Sequence, residues 1–211
     1  VTFIKVCGVT RRQDVDAAAG LGVDALGFIL VEGSPRRVPL EEAVSLAGSV
    51  PAGIRRVAVM MNPSPGELAE AAACGAFDLL QLHGEETPEM VEGAGIDVIK
   101  GLSVSGPADL ERAAAYGAAR YFLFDSRKRE MAKGSVFDHE LLSGRTFARP
   151  FILAGGLGPD NLGDALVAVR PFGVDLNSGV EDSPGVKDIG RLEKAVAVVR
   201  GFDETERGER R

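Results

Sequence analysis

Cys7 and Asp125 are the side chains of this sequence best placed to move protons. One is a thiol closing the apolar run Phe3–Cys7, the other a carboxyl directly after the apolar run Tyr121–Phe124. A thiol with an ordinary pKa of about 8.5 acts as a base only where its surroundings favour the anion. A carboxyl acts as an acid near neutral pH only where apolar surroundings or ligand charge hold its proton. Each residue also has a plainer use: a strand-end cysteine can be a small buried hydrophobe, and a strand-end aspartate can cap the next loop. Cys74, which stands before Gly75 without polar company, reads as packing.

Three further groups can bind rather than react. The turns Ala154-Gly155-Gly156-Leu157 and Asn177-Ser178-Gly179-Val180 each follow a short apolar run and expose small residues, so their backbone N–H groups can converge on one anion. Taken singly, either set of glycines can equally serve a tight turn. In Ser34-Pro35-Arg36-Arg37, one arginine can grip a planar carboxylate with its two-pronged guanidinium, or the loop can simply be solvated. His83, in Gln81-Leu82-His83-Gly84, can face a ligand or be a structural histidine; the residues favour neither. With His83 and His139 the only histidines, a multi-histidine metal site is not expected, and the reading calls for no metal and no cofactor.

Such residues need a scaffold that brings distant loops together. Short β-type runs alternate with Ala-rich amphipathic segments along the whole chain, the pattern of parallel strands joined by crossover helices. Strands are expected at Phe3–Cys7, Ala25–Leu30, Arg56–Met60, Leu79–Leu82, Val98–Gly101, Tyr121–Phe124, Phe151–Leu153 and Gly173–Leu176. Helices are expected at Arg12–Leu21, Leu40–Ala47, Pro65–Cys74, Pro88–Gly93, Pro107–Tyr116, Pro159–Val169 and Val186–Arg200, several opening with the proline that a first helical turn tolerates. A weak repeat supports this, since Gly22, Gly75, Gly95 and Gly173 each stand shortly before an aspartate that opens a strand, and three of these glycines are expected to end helices. Eight units in 211 residues give about 26 residues each, near the lower limit of a closed barrel. The expected fold is therefore α/β, a single-domain (β/α)8 TIM barrel over residues 1–200. An open doubly wound sheet would use fewer strands and a first-turn dinucleotide fingerprint, which is missing here. The polar stretch Arg127–Ser135 reads as a loop closing over a ligand, with a helix over Val136–Leu142. The charged tail 201–211 reads as frayed.

Composition excludes several partners. The chain is 45% hydrophobic and 26% charged with a net charge of −7, so it can bury a large core but lacks the basic surface that nucleic acid or anionic membranes demand. Two cysteines make no disulfide framework, and Val1–Cys7 reads as strand rather than signal peptide, so a reducing, cytoplasmic setting is expected. No run approaches the length that spans a bilayer. The partner expected is a small phosphorylated molecule, with the chain a monomer or weak homodimer.

Taken together, Lys5-Val6-Cys7-Gly8-Val9-Thr10, Gly27-Phe28 with Ser34-Pro35-Arg36, Gln81-Leu82-His83-Gly84, Phe124-Asp125-Ser126, Gly134 with Phe137-Asp138, Leu153-Ala154-Gly155-Gly156-Leu157, and Val174-Asp175 with Ser178-Gly179-Val180-Glu181 resemble the phosphoribosylanthranilate isomerases of tryptophan biosynthesis. The segments run in the family's order from Lys5 to about Leu192. The resemblance implies an Amadori rearrangement of N-(5-phosphoribosyl)anthranilate to the 1-deoxyribulose product. It implies Asp125 as the acid that protonates the ring oxygen and Cys7 as the base that takes the C2′ proton. It further implies that Arg36 holds the anthranilate carboxylate, and that Gly155, Gly156, Ser178 and Gly179 hold the 5′-phosphate. The chain departs from the family at Asn177, where serine is more usual, at Glu32 and Gly33, and at Met131-Ala132-Lys133.

Two other readings compete. A metal-dependent epimerase needs paired histidines that the chain lacks, and a histidine-pathway isomerase needs aspartates where Cys7 and Gly101 stand. A phosphometabolite sensor would keep the cradle but has no use for a proton-transfer pair.

Overall fold

Eight parallel strands close into a barrel in chain order in the computed structural model, which describes residues 1–126 and 141–209. They are β1 (Phe3–Cys7), β2 (Ala25–Ile29), β3 (Arg55–Met60), β4 (Leu79–Leu82), β5 (Val98–Val104), β6 (Tyr121–Ser126), β7 (Phe151–Leu153) and β8 (Gly173–Leu176). The ring closes where β8 pairs with β1 in the register Ile4↔Val174 and Lys5↔Asp175. Side chains alternate across each strand, so every strand is apolar on two faces. Ile4 and Val6 pack outward among the helices, while Cys7, Ala25, Val57, Leu79, Ile99, Leu123 and Ile152 form a second, interior cluster.

The outer layer comprises α1 (Arg12–Gly20), α2 (Leu40–Ala47), α3 (Pro65–Ala73), α4 (Pro88–Glu92), α5 (Pro107–Glu111), α6 (Leu162–Val169) and α7 (Ile189–Glu209). Local chemistry sets their starts. Ser64 and Glu67 satisfy each other's backbone N–H ahead of α3, and Pro65 takes the first helical position, where a missing N–H is harmless. Gly22, Gly75 and Gly95 adopt the left-handed conformation after helices α1, α3 and α4, as the repeat suggested.

Four expectations need correction. Strands β5 and β6 run past Gly101 and Phe124, because Ser103 pairs with Asp125 and Val104 with Ser126. Helix α6 starts at Leu162 rather than Pro159, since the Asn161 side chain is engaged in a turn, accepting from Gly158 N at 2.9 Å and donating to Gly156 O at 3.2 Å. Val186 belongs to no helix: Glu181–Ser183 (β9) and Val186–Lys187 (β10) form an antiparallel hairpin before α7. The tail expected to fray from Gly201 instead continues α7 to Glu209. The sequence signal there was charge, but Asp203 is buried and binds Thr2 N at 2.8 Å and Thr2 Oγ1 at 2.7 Å. Arg200 adds a bond to Thr2 O at 2.9 Å. The polar stretch Arg127–Ser135 and most of Val136–Leu142 lie outside the described residues. Among the described residues no helix is long and apolar enough to cross a membrane.

The last helix thus fastens the first strand. Asp203→Ala is expected to lower the unfolding free energy by about 2 kcal/mol, since it strands buried donors on Thr2. Urea titration checks this, and a loss below about 0.5 kcal/mol, the range of ordinary surface substitutions, would contradict it.

Candidate active site

A cavity of about 200 Å³ opens at the C-terminal ends of the strands. Its walls bring together Cys7 from β1, Arg36 from the loop after β2, His83 after β4, Asp125 from β6, Gly155 and Gly156 after β7, and Ser178 after β8. Seven of the residues singled out in the sequence therefore converge on one space. Gly179 does not line it; a Cβ there would lie 2.0 Å from Leu157 O, so this glycine lets the loops after β7 and β8 touch. Cys74 lies elsewhere, exposed at the end of α3 with its thiol on Ala71 O at 3.2 Å, and so is not the packing residue the sequence suggested.

Both glycine turns contribute to the cavity wall. Gly155 and Gly156 have φ of 111° and 68°, two consecutive positive-φ positions that glycine adopts without a Cβ clash. Asn161 braces the turn through Gly156 O. Opposite it, Ser178–Val180 forms a single 3₁₀ turn directly after Asn177.

Arg36 is held rather than loose. Its Nε lies 2.9 Å from Glu181 Oε1 and its Nη2 2.6 Å from Glu181 Oε2. Glu181 also receives Lys187 Nζ at 2.9 Å and Gly185 N at 3.2 Å. Burial opposes charge on Glu181, but Arg36 and Lys187 outweigh it and hold the carboxyl below its ordinary pKa. Glu181 occupies the Nε–Nη2 edge of the guanidinium, and among the described residues no hydrogen bond is made by Nη1. Lys187 continues the chain of contacts to Asn177 Oδ1 at 3.1 Å, so the β9–β10 hairpin ties the loop of Arg36 to the turn after β8.

Beneath the cavity lies a polar floor. Lys5 is fully buried and its Nζ meets Asp175 Oδ1 at 2.8 Å. Burial pushes the Cys7 thiol above its ordinary pKa, with Lys5 pulling the other way and Asp175 adding to the rise. His83 Nε2 stands 3.8 Å from Asp125 Oδ2, while its Nδ1 meets Gln81 Nε2 at 3.0 Å. Burial depresses the His83 pKa to about 4, so the imidazole is neutral at physiological pH. Its loop is fixed from below by Lys100, fully buried, which donates to Gly84 O at 2.7 Å and Glu86 Oε2 at 2.8 Å. Burial works against the charge of Glu86, but Lys100 and the backbone N–H of Asn62 hold its carboxyl below the usual range. At β5, a Cβ on Gly101 would lie 2.7 Å from the His83 ring, so an aspartate cannot replace it without displacing His83.

Sequence reasoning missed Lys5, Asp175, Glu181 and Lys187 as parts of the site. The signal for Lys5 was available: it shares the parity of Cys7 in an otherwise apolar strand. Nothing in the sequence pairs Arg36 with Glu181. Among the described residues, no cluster of three or more His, Cys, Asp or Glu is arranged to hold a metal ion.

A family model described as N-(5'phosphoribosyl)anthranilate (PRA) isomerase matches residues 4–198. The protein named N-(5'-phosphoribosyl)anthranilate isomerase from Rhodospirillum centenum is 43% identical, over 94% of this chain and 95% of its own. Its namesake from Halorhodospira halophila is 40% identical, over 97% and 99%. The crystal structure of phosphoribosyl anthranilate isomerase from Thermotoga maritima has a TM-score of 0.89 at 34% identity, covering 95% of this chain and 100% of that one. A structure of the same kind of enzyme in complex with reduced 1-(o-carboxyphenylamino)-1-deoxyribulose 5-phosphate has a TM-score of 0.85 at 33% identity, with the same coverage.

The neutral state of His83 has a measurable cost in acid. The unfolded chain takes up this proton from about pH 6.5 downward, whereas the folded chain resists until about pH 4. Stability is therefore lost as pH falls through that window, by on the order of 2 to 3 kcal/mol. Denaturation at pH 7 and pH 4.5 should show this loss in the wild type and a smaller one in His83→Gln; equal losses would refute the assignment.

Proposed function

The chain belongs to the N-(5'-phosphoribosyl)anthranilate isomerase family, and from that premise we propose that its cavity converts N-(5'-phosphoribosyl)anthranilate to 1-(2-carboxyphenylamino)-1-deoxyribulose 5-phosphate with Asp125 as general acid and Cys7 as general base. The observation that carries this reading is the convergence of a carboxyl, a thiol and a two-glycine turn on one cavity. As an isomerase of tryptophan biosynthesis, the enzyme takes a small phosphoribosyl substrate.

The substrate has an anion at each end, and the cavity has a receptor for each. The turn at Gly155-Gly156 and the turn at Ser178 receive the 5′-phosphate through backbone N–H groups, which explains how a protein of net charge −7 binds a phosphate. Arg36, aimed by Glu181, offers its free edge to the anthranilate carboxylate. Held at both ends, the ribose lies between β1 and β6, and remote binding energy goes into orienting it.

The chemistry then needs two proton transfers. Asp125 gives its proton to the furanose oxygen as the C1′–O bond breaks, and the nitrogen lone pair forms a cationic iminium. Cys7 removes the C2′ proton, whose bonding pair moves to quench the iminium and leaves an enolamine that tautomerises to the ketone. The iminium acidifies the C2′ proton, which eases the demand on a thiol base. Neutral His83 beside Asp125 adds no positive charge that would favour early loss of the acid's proton.

The reading is tested by generating the substrate in situ from anthranilate and activated ribose phosphate and following loss of its fluorescence. Cys7→Ala and Asp125→Asn are each expected to lower kcat by about 10² to 10⁴. Full turnover in either variant would refute its role. Since burial raises the Cys7 pKa, kcat/KM of the wild type should climb as pH rises through neutrality, and a rate falling over that range would speak against a thiolate base. Glu181→Gln removes the charge that aims Arg36, so KM should rise about tenfold with a smaller change in kcat; an unaltered KM would detach Arg36 from carboxylate binding.

A further inference from the structure

Lys5 is a buried ammonium that the mechanism above does not use, and its surroundings define what it can do. It stands two residues before Cys7 on β1, so both side chains enter the barrel interior one above the other. Its Nζ donates to Asp175 Oδ1 at 2.8 Å, and Lys5 and Asp175 are direct partners across the β1–β8 seam. The sulfur of Cys7 is its other neighbour. Seen from β2, a Cβ placed on Gly27 would lie 3.0 Å from Cys7 Sγ and 3.2 Å from Lys5 Nζ, so both atoms crowd the same point and only a missing side chain leaves it to them. The charge of Lys5 accordingly acts on the Cys7 sulfur, favouring its anionic form.

We propose that Lys5 is a positioning residue for the base: its ammonium, anchored by Asp175, favours the anionic form of the Cys7 sulfur at the cavity wall beyond what the buried setting alone would allow. This rests on the assignment of Cys7 as the general base. Lys5 has the right character for a fixed charge. Burial works against its ammonium, but Asp175 and the Cys7 sulfur outweigh that cost and keep it protonated above its ordinary pKa. It therefore donates a hydrogen bond without giving up a proton. The Cys7 proton leaves to solvent, the thiolate takes the C2′ proton, and the resulting thiol loses it again before the next turnover. The other charged groups facing Cys7 are Asp175 from β8, Lys187 from β10 and Arg36 from the loop after β2. Asp125 and His83 line the same cavity. Lys187 and Arg36 pair with Glu181 and Lys5 pairs with Asp175, but it is Lys5 that shares with the sulfur the space Gly27 leaves open, and its charge does most to favour the anion.

The test follows iodoacetamide alkylation of Cys7 against pH by mass spectrometry, in a Cys74→Ser background that removes the exposed second thiol. Lys5→Met should move the midpoint of the profile up by about one to three pH units, the effect of losing an adjacent opposite charge. Near neutral pH its kcat should fall about 10²-fold while KM changes little. A folded Lys5→Met protein with an unmoved midpoint would overturn the proposal. Should that variant fail to fold, Asp175→Asn decides: removing the anion that competes for Lys5 should lower the midpoint, and a midpoint unchanged or raised is the overturning result. Cys7→Ala separates the two levels of the argument. Its full turnover would sink the base assignment itself, whereas lost turnover with an unmoved Lys5→Met midpoint sinks only the role of Lys5.

Discussion

The closed ring of eight strands places an ion pair, Lys5 with Asp175, in the one part of the molecule where charge is most costly. The two residues face each other across the seam where the last barrel strand meets the first. A buried pair of this kind seldom adds net stability, because desolvation of both ions consumes most of the attraction between them. Its position directly under Cys7 gives it a purpose other than stability. Burial raises the pKa of the thiol and lowers that of the histidine, and the charges of this polar layer, Lys5 and Asp175, modulate both shifts.

The same economy recurs around the rim. Arg36, Glu181 and Lys187 form a continuous chain of charge-assisted hydrogen bonds, and Lys100 with Glu86 forms another under His83. The first joins the loops that follow β2 and β8, and the second pins the loop after β4 to β5. Loops left alone would sample many conformations, and a site built on them would lose its geometry. Tying them with largely buried ion pairs converts separate loops into a single wall. Breaking one partner leaves an unpaired ion in a dry place, so these networks hold shape through penalty as much as through attraction.

The glycines of the site act by what they leave out. Gly27 clears the space in which Lys5 Nζ and Cys7 Sγ meet, and Gly179 lets the turn after β8 lie against Leu157. The resulting contact between the last two loops sets both turns on one wall of the cavity.

Periodicity alone located all eight strands, because a buried strand reads as a short, largely apolar run, and glycines follow several of the helices before them. Strand and helix positions such as Phe3–Cys7, Leu40–Ala47 and Gly173–Leu176 coincide with those in the folded chain. Cys7, Asp125 and the two glycine turns were legible too, as residues too polar or too small for the ends of the runs they close. The β9–β10 hairpin was not legible, since Val186 and Lys187 have no local pattern, and their pairing is decided by a carboxylate at Glu181. Nor was the extent of α7, whose charged end is held by a contact with Thr2 some two hundred residues away in sequence. Local propensity is a property of neighbours along the chain, and a sequence displays it openly. Which lysine finds which aspartate across the barrel is set by ring closure, and only the folded chain brings those partners within reach.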